Sequence, residues 1–395
     1  MHKATYRTIF FSILLFSATL PAFSYPIDGY GLTGIRRLLR LSMILEGTIK
    51  GTPPPPGAQK SINEIRLQLT GPRGDSLATL PPVDQALQRE IDKLFPNRDE
   101  SYSLALLDIT TGKPVRLAVR QAKRQFPPGS IGKLAIAAGL FAELARLFPH
   151  DPEQRRHLLM TRMVTADKWI EHDSHEIPIF DPETLQFTSR PPKLGDTFSL
   201  YEWADHMLSA SANAAASIIW KELILMRAFA EDYPPSYQHE QEFFEKTAKS
   251  ELRDMAASIV NDPLRAAGIA QRDWQLGSFF TKTGKRIVPG AGGSVGTPTG
   301  FLQFLIAVER GTIVDEWSSL EIKRLMYMTA RRIRYASSPR LNSAAVYFKS
   351  GSLYRCKPEE GFICGKYMGN VENNMNSVAI VEHTDGRVYL VALMS

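Results

Sequence analysis

The chain has 395 residues, of which 44% are hydrophobic and 22% are charged, which is ordinary for a globular protein with a sizeable core. Its formal net charge of +6 is a mild excess without a run of five like charges, and Arg36-Arg-Leu-Leu-Arg40 is only a short cluster. These features argue against a nucleic-acid-binding protein.

Residues 1–24 have the pattern of a secretory signal peptide. Lys3 and Arg7 precede an apolar stretch from Ile9 to Leu20, and Ala22-Phe-Ser24 forms a small-residue cleavage site. The apolar stretch is short for a membrane span, and no cysteine follows the cleavage site, so a lipoprotein is not expected. We predict cleavage after Ser24 and a soluble periplasmic or secreted product with no integral membrane span.

Residues 25–80 are predicted to form an N-terminal helix and a proline-rich linker. The helix runs from Leu32 to Leu45, and the linker contains Pro53-Pro-Pro-Pro56, which should be extended and stiff. The helix is amphipathic, so we expect it to dock on the rest of the chain or on a partner. Its apolar side carries Leu32, Ile35, Leu38, Leu39 and Leu45.

Residues 81–395 are predicted to form one domain of the α/β class, in an α+β arrangement. It opens with a helix from Val83 to Phe95 and a hairpin from Ser103 to Val119 that turns at Thr111-Gly112. Residues 130–328 are largely helical in pattern, and the C-terminal residues return to strands. This order predicts an antiparallel sheet built from both chain ends, with an inserted helical subdomain and a cleft between the two lobes.

Ser130-Ile-Gly-Lys133 places a hydroxyl and an amine one helical turn apart. Pro127-Pro-Gly129 holds the preceding chain extended, and the predicted helix has Ser130 in its first turn. Positions i and i+3 share a helix face, so Lys133 can reach the serine and, if desolvated, take its proton. Taken alone the motif is weak, because a capping serine and a solvated lysine give the same pattern.

Two further motifs follow in chain order. Ser211-Ala-Asn213 lies in an alanine-rich segment, and Lys349-Ser-Gly-Ser352 ends the β-branched and aromatic run Ala345-Val-Tyr-Phe348. Ser-x-x-Lys, then Ser-x-Asn, then Lys-Ser/Thr-Gly resembles the signature of the serine β-lactamases and penicillin-binding proteins. From about Gln85 to its end, the chain is similar to class A β-lactamase-related serine hydrolases.

Two other segments fit parts of this signature. Ser61-Ile-Asn63 also matches Ser-x-Asn, but it precedes the nucleophile and lies before the predicted domain. Lys282-Thr-Gly284 rivals Lys349, although its glycine-rich surroundings predict a hairpin or a loop tip. The family's fold requires this lysine on an inner strand with two more strands after it. We therefore favour Lys349.

The resemblance implies an acyl-transfer site with four catalytic residues. Ser130 is expected to attack a carbonyl group, with Lys133 as the proton acceptor, although the acylation base is disputed across this superfamily. Ser211 is expected to pass a proton toward the leaving nitrogen. Lys349 is expected to lend positive charge to the Ser211 hydroxyl and to a substrate carboxylate.

The resemblance also implies the substrate-binding residues. Asn213 is expected to bind the substrate's side-chain amide and to help hold the catalytic lysine, and Ser350, Gly351 and Ser352 to line the substrate. The backbone N–H groups of Ser130 and Ser352 are the expected oxyanion hole.

The chain departs from the class A pattern where the acyl-enzyme is hydrolysed. Class A enzymes carry Glu-x-x-Leu-Asn between the second and third motifs, and its glutamate activates the water; this sequence has no such motif. The corresponding region is Gln271 to Phe280, where Gln275 follows a tryptophan, and an amide cannot take a proton from water. Asp273 is a substitute only if the loop folds differently. Efficient β-lactam turnover is therefore not expected.

Three further departures concern the walls of the site. Ala212 stands where the family often has the acid of Ser-Asp-Asn, and the strand from Asn376 to Glu382 offers no arginine to bind a carboxylate. The last strand runs to Ser395 without the C-terminal helix of class A enzymes. The helix from Leu32 to Leu45 is the candidate to cover that face instead.

The two cysteines, Cys356 and Cys364, follow the third motif. In an exported protein we expect a disulfide across this short loop, contributing about 2–3 kcal/mol. They offer too few ligands for a metal site. His172 and His175 lie in the acidic stretch from Glu171 to Glu176, which lacks a helical metal-binding spacing and is interpreted as a polar loop. No metal and no cofactor are expected.

These observations predict an exported serine hydrolase that forms an acyl-enzyme on Ser130 with β-lactams or D-alanyl peptides. Its expected partner is a small-molecule or peptidoglycan-peptide substrate, and the oligomeric state is left open. Two alternatives stand beside it. One is a serine esterase or amidase on the same fold, and the other is a penicillin- or muropeptide-binding protein that does not turn over.

Overall fold

The computed structural model describes residues 27–95, 100–171, 173–330, 332–365 and 367–395. The predicted signal peptide lies outside the described residues. The α-helices are α1 (Tyr30–Thr33), α2 (Arg36–Leu45), α3 (Pro72–Asp75), α4 (Gln85–Lys93), α5 (Lys133–Leu147), α6 (Pro152–Thr161), α7 (Leu200–Leu208), α8 (Asn213–Phe229), α9 (Tyr237–Lys246), α10 (Lys249–Ala266), α11 (Lys282–Ile287), α12 (Pro298–Arg310) and α13 (Glu316–Tyr327). The strands are β1 (Ser103–Asp108), β2 (Arg116–Arg120), β3 (Met163–Thr165), β4 (Ile177–Phe180), β5 (Phe187–Arg190), β6 (Thr197–Ser199), β7 (Trp274–Gln275), β8 (Val295–Gly296), β9 (Ala345–Arg355), β10 (Glu372–Glu382) and β11 (Val388–Met394).

The main sheet joins the beginning and the end of the domain. It has five antiparallel strands in the order β2-β1-β11-β10-β9, and Ser103 on β1 lies opposite Met394 on β11. The β1–β2 hairpin turns near Gly112, whose φ of 76° suits a glycine. The predicted sheet from both chain ends, and the mixed fold class, are confirmed.

One detail of the sheet differs from the expectation. Lys349 lies on β9, which is the edge strand and not an inner strand, although β10 and β11 do follow it in sequence. The free side of β9 faces the short 3-10 helix Gly129–Gly132, which carries the serine of the first motif. An edge position is required there, because an inner strand would have both sides occupied by neighbouring strands.

The inserted helical block is built around α5, which is apolar on nearly every side and therefore buried. It packs against α8 and α10. A Cβ on Gly139 would lie 2.9 Å from the carbonyl oxygen of Ile259, so the glycine permits the close approach of α5 and α10. The block fixes the start of α5, and with it Lys133, relative to the sheet.

The outer face of the sheet is covered by α4 and by the segment 333–344, not by the N-terminal helix. Leu87 and Ile91 of α4 pack in a cluster with Phe348 and Val381 of the sheet. The segment from Leu32 to Leu45 is not one helix but two, broken at Gly34 with φ 69°. Its second helix contacts α7 and β4, so the suggestion that it replaces the C-terminal helix is wrong.

Ion pairs attach the N-terminal segment to the domain. Arg37, whose side chain is 7% exposed, donates to both carboxylate oxygens of the fully buried Asp205 at 2.5 and 2.6 Å. Lys60 contacts Glu382 on β10 at 2.5 Å. Between Arg37 and Lys60 in the sequence, Gly57 donates its N–H to the carbonyl oxygen of Asn342 at 2.7 Å. The proline-rich stretch is thus docked along the domain.

The connection between β9 and β10 contains a disulfide between Cys356 and Cys364, with a Cα–Cα distance of 5.9 Å. The predicted disulfide is therefore present. Among the described residues, no helix combines the length and apolar character that crossing a bilayer requires.

Candidate active site

The first motif lies where a 3-10 helix becomes α5. Ser130 is in the 3-10 helix and Lys133 is the first residue of α5, so the serine precedes the α-helix and does not lie in its first turn. Both conformations bring i and i+3 together. The Lys133 Nζ lies 2.9 Å from the Ser130 Oγ, and Lys133 is fully buried.

Lys133 has oxygen partners that define the direction of its protons. Its Nζ donates to the carbonyl oxygen of Ser211 at 2.5 Å and to the Oδ1 of Asn213 at 2.8 Å. Both oxygens are acceptors only. A neutral amine has two N–H donors and one lone pair, so these two bonds use the donors and leave the lone pair for the Ser130 hydroxyl proton. The arrangement is that of a base and its nucleophile.

Burial lowers the pKa of Lys133 to about 7, and the carboxylate of Asp173 opposes this by raising it. The Phe280 ring contributes to the burial, since its centroid lies 4.9 Å from the Lys133 Nζ. A lysine with this pKa is a mixture of its neutral and protonated forms at neutral pH, whereas a solvated lysine is almost entirely protonated.

The second motif lies in the turn between α7 and α8. Ser211 has φ 61°, an uncommon backbone conformation for a residue with a side chain, and this conformation aims its carbonyl oxygen at Lys133. The Ser211 Oγ accepts a hydrogen bond from the Lys349 Nζ at 2.8 Å. Lys349 is 2% exposed, and burial, with Lys133 and Arg334 nearby, holds its pKa well below the usual range.

The glycine of the third motif allows β9 to pack closely against the segment that carries Ser130. A Cβ on Gly351 would lie 2.1 Å from the carbonyl oxygen of Pro128 and 3.0 Å from the Ser130 nitrogen. A Cβ on Gly129 would lie 2.9 Å from the Ser352 nitrogen. The backbone nitrogens of residues 130 and 352 therefore lie on neighbouring segments in tight contact. Ser350 contributes its carbonyl oxygen, which accepts from Lys349 at 3.0 Å.

Arg334 supplies a positive charge that sequence reasoning missed. Its guanidinium donates to the Ser352 Oγ at 2.5 Å and to the carbonyl oxygens of Gly351 and Asn376. It comes from the segment after α13 and not from β10. The only sequence signal was an arginine cluster after that helix, which does not fix where any of its members points.

The region from Gln271 to Phe280 brings no carboxylate to the catalytic lysine. Gln275 is held away from it by hydrogen bonds with Gln271 and the carbonyl oxygen of Gly293. Asp273 accepts hydrogen bonds from the backbone N–H and the hydroxyl group of Thr297, which lies outside this loop.

The residues of the 271–280 loop that face the start of α5 are apolar. A Cβ on Gly132 would lie 2.9 Å from Leu276 and 3.5 Å from Phe280. The part of the loop that lies against Gly132 is therefore apolar, and the centroid of the Phe280 ring also lies 4.9 Å from the Lys133 Nζ.

The rival segments lie elsewhere. Lys282 is the exposed first residue of α11, so the expected hairpin or loop tip is a short helix. Ser61 caps a 3-10 helix in the N-terminal segment and bonds to Asp28. His172 lies outside the described residues, and His175 bonds to Asp173 through its Nδ1 at 2.6 Å. No cluster of three metal-ligand side chains occurs in the part of the chain that the structure describes.

Comparisons with known proteins identify the family and the fold. A family model for the Beta-lactamase enzyme family matches residues 86–395. Among solved structures, the chain is similar to a class A beta-lactamase from Bacteroides cellulosilyticus DSM 14838, with 15% identity and a TM-score of 0.50 over 80% of this chain and 90% of that one. It is similar to the TLA-3 extended-spectrum beta-lactamase, with 12% identity and a TM-score of 0.51 over 78% and 89%. It is also similar to PBP-A, with 14% identity and a TM-score of 0.46 over 80% and 89%.

A search of curated proteins gave no match. At the identities above, the structural likeness concerns the fold alone. The family model covers most of the chain and includes all three motifs. The chain therefore belongs to the Beta-lactamase enzyme family, with the fold of β-lactamase-related serine hydrolases.

Proposed function

We propose that this protein is an exported serine hydrolase that forms an acyl-enzyme on Ser130 with β-lactams or D-alanyl peptides. The observation that carries the proposal is the Lys133 amine, which is fully buried, lies 2.9 Å from the Ser130 hydroxyl, and has its two N–H donors occupied by carbonyl oxygens. The disulfide is consistent with export, since such bonds persist in oxidising compartments.

In the acylation step, the neutral Lys133 amine takes the proton of the Ser130 hydroxyl while the Oγ forms a bond to the substrate's carbonyl carbon. The carbonyl π electrons move to oxygen, and the backbone N–H groups of Ser130 and Ser352 stabilise the oxyanion. The carbonyl re-forms as the bond to nitrogen breaks, and the leaving nitrogen receives a proton through the Ser211 hydroxyl. Lys133 replenishes that proton, so the amine is neutral again at the end of the step.

Three groups are proposed to bind the substrate. The Arg334 guanidinium, which donates to the Ser352 Oγ, attracts a substrate carboxylate, and the bound carboxylate favours the protonated form of the neighbouring Lys349 amine. The Asn213 side chain keeps its amide N–H₂ for the substrate, because its Oδ1 already accepts from Lys133.

Deacylation is proposed to be slow. The 271–280 loop presents the Phe280 ring to the lysine and no carboxylate, so a hydrolytic water has no carboxylate base from this loop. This favours a long-lived acyl-enzyme over rapid β-lactam hydrolysis. It also keeps the second candidate open, a penicillin- or muropeptide-binding protein that does not turn over. An esterase or amidase on the same fold is a further alternative.

The test is to incubate the mature protein with a fluorescent penicillin and to record its intact mass over time, beside a Ser130→Ala control. A persistent adduct that requires Ser130 supports the proposal. An adduct that decays while hydrolysed penicillin accumulates shows a β-lactamase with a water activator outside the 271–280 loop. The absence of any adduct contradicts penicillin recognition, and ester and D-alanyl peptide panels then decide among the alternatives.

A further inference from the structure

The acid that is missing from the second motif has a counterpart on another loop. Asp173 accepts the backbone N–H of Ala214 through its Oδ2 at 2.8 Å. Ala214 is the second residue of α8 and directly follows Asn213. Asp173 comes from the loop before β4, about forty residues earlier in the chain.

The first turn of α8 needs an acceptor from outside the helix. The N–H groups of the first turn of an α-helix have no partner inside the helix, and the residue before it usually supplies a side-chain oxygen. Here that residue is Ala212, which is fully buried and makes no side-chain cap bond. An unpartnered N–H at this place would be costly, and the Asp173 carboxylate is the group that removes the cost.

Asp173 is itself held in place. Its side chain is 2% exposed, and its Oδ1 accepts the backbone N–H of His175 at 3.1 Å and lies 2.6 Å from the His175 Nδ1. Both carboxylate oxygens therefore have partners, one on the loop and one on α8. The carboxylate is a fixed bridge between the loop and the turn that carries Ser211 and Asn213.

We propose that Asp173 is a positioning residue for acyl transfer: by anchoring the first turn of α8, it holds the Asn213 amide and the Ser211 carbonyl oxygen on the Lys133 amine. It supplies the acceptor that Ala212, at the N-cap position, does not provide. The inference rests on the proposed function for its effect on acylation, whereas the anchoring itself is independent of it.

The charge of Asp173 also affects the pH dependence of acylation, which a merely structural hydrogen bond would not change. Among the described residues, the titratable and charged groups near Lys133 and its partners are Asp173, Lys349 and Arg334, with His175 bonded to the Asp173 carboxylate. Asp173 raises the pKa of Lys133 against the effect of burial. Removing its charge therefore makes Lys133 easier to deprotonate, so the pH midpoint of acylation moves to lower pH.

The test compares acylation of Ser130 by a fluorescent penicillin across the neutral pH range in wild type, Asp173→Ala, Asp173→Asn, Ala212→Asp and the double variant Asp173→Ala/Ala212→Asp. Asp173→Ala is expected to lower the maximal rate constant about ten- to hundredfold, because a hydrogen bond to a charged acceptor is lost. The double variant is expected to recover most of this loss, since an aspartate at the helix N-cap can accept from the same N–H. Asp173→Asn keeps an acceptor oxygen, so we expect a smaller loss together with the midpoint at lower pH.

Asp181→Asn is the matched control, because the Asp181 carboxylate caps a turn through Glu183 and Thr184 and makes no bond to α8. Its rate and pH midpoint should equal those of wild type. If Asp173→Ala and Asp173→Asn both have the acylation rate and the pH midpoint of wild type, the proposal is wrong. The proposal is also wrong if the double variant is acylated no faster than Asp173→Ala although Ala212→Asp alone folds normally.

Amide hydrogen exchange of residues 212–216, followed by mass spectrometry, tests the anchoring without any substrate. Faster exchange in Asp173→Ala, reversed in the double variant, supports the anchor, and unchanged exchange contradicts it. If wild type gives no adduct at all, the proposed function has failed, while the exchange result still decides on the anchor. If Asp173→Ala does not fold, Asp173→Asn carries the pH test.

Discussion

In the proposed mechanism, burial and hydrogen bonding together enable Lys133 to act as a base. Burial alone would favour the neutral amine, but it would not orient it. The carbonyl oxygens of Ser211 and Asn213 use its N–H groups and so direct its lone pair at the Ser130 hydroxyl. The uncommon backbone conformation of Ser211 supports this chemistry, because it sets the direction of one of the two oxygens.

The pKa of Lys133 predicts how acylation depends on pH. Because the neutral amine is the base and its pKa is lowered to about 7, the acylation rate should be half-maximal near pH 7. Below this value it should fall about tenfold per pH unit as the amine becomes protonated. The measurement is the second-order rate constant of adduct formation as a function of pH. A flat profile between weakly acidic and neutral pH would exclude Lys133 as the base.

Phe280 is expected to tune this midpoint. Its ring helps to bury the Lys133 amine, so Phe280→Ala admits water, reduces the desolvation and raises the lysine pKa. The midpoint of acylation should then move to higher pH by about one unit, with slower acylation at neutral pH. Phe280→Leu keeps an apolar side chain and is the matched control, whose midpoint should stay close to wild type. A midpoint that is equal in both variants would contradict this role of the ring.

At the scale of elements, the edge strand β9 and the 3-10 helix before α5 act as one unit. Gly351 and Gly129 lack side chains that would separate the two elements. The Asn376 Nδ2 on β10 donates to the carbonyl oxygen of Pro127, just before the 3-10 helix, at 2.8 Å. The nucleophile and the strand that carries Lys349 are thus positioned by backbone contact, which is less variable than contact between long side chains.

Gly351→Ala should separate these two elements. The added Cβ would overlap the carbonyl oxygen of Pro128, so the strand must shift away from Ser130. We expect acylation to fall by about a hundredfold or more, since a displacement of an ångström at reacting groups has effects of this size. Gly31→Ala is the control, because its Cβ meets nothing within 4 Å. Adduct formation by mass spectrometry is the measurement, and wild-type acylation in Gly351→Ala would show that the contact is not needed.

How much of the site the sequence could predict depends on the elements that carry each residue. Ser130, Lys133 and Lys349 lie on or next to a regular helix or strand, so their spacing and order were informative. Arg334 and Asp173 reach the site from irregular segments, whose direction depends on tertiary contacts that no local pattern records. The edge position of β9 likewise depends on strand pairing across the whole domain.

The N-terminal segment belongs to the same folded unit as the domain at the scale of the whole molecule. Arg36 pairs with Glu202 and Arg37 with Asp205 on α7, while Lys60 reaches the end of β10. The Lys60 partner, Glu382, also bonds to the fully buried Lys323 of α13. These contacts connect the segment to both lobes, so its loss would expose charged groups that now have partners.

Arg37→Met should destabilise the whole protein. It leaves the Asp205 carboxylate without its main partner in a fully buried position, which should cost about 3–5 kcal/mol of unfolding free energy. Urea unfolding is the measurement. Arg253→Met is the control, since Arg253 and Asp254 are 41% and 67% exposed and their pair should contribute less than about 1 kcal/mol. Equal stability of the two variants would show that the Arg37 pair is not an anchor.

The pairing of Ser103 with Met394 has a consequence for how the molecule is made. A chain leaves the ribosome with its N-terminus first, so β1 and β2 emerge long before the strand that lies between β1 and β10. The sheet cannot close until β11 has been synthesised, and until then one edge of β1 stays open to other chains. Lys349 and Gly351 also emerge late, so the nascent polypeptide contains Ser130 well before the other residues of the proposed site. In the proposed mechanism, acylation can therefore begin only after β9 and the strands that follow it have been synthesised.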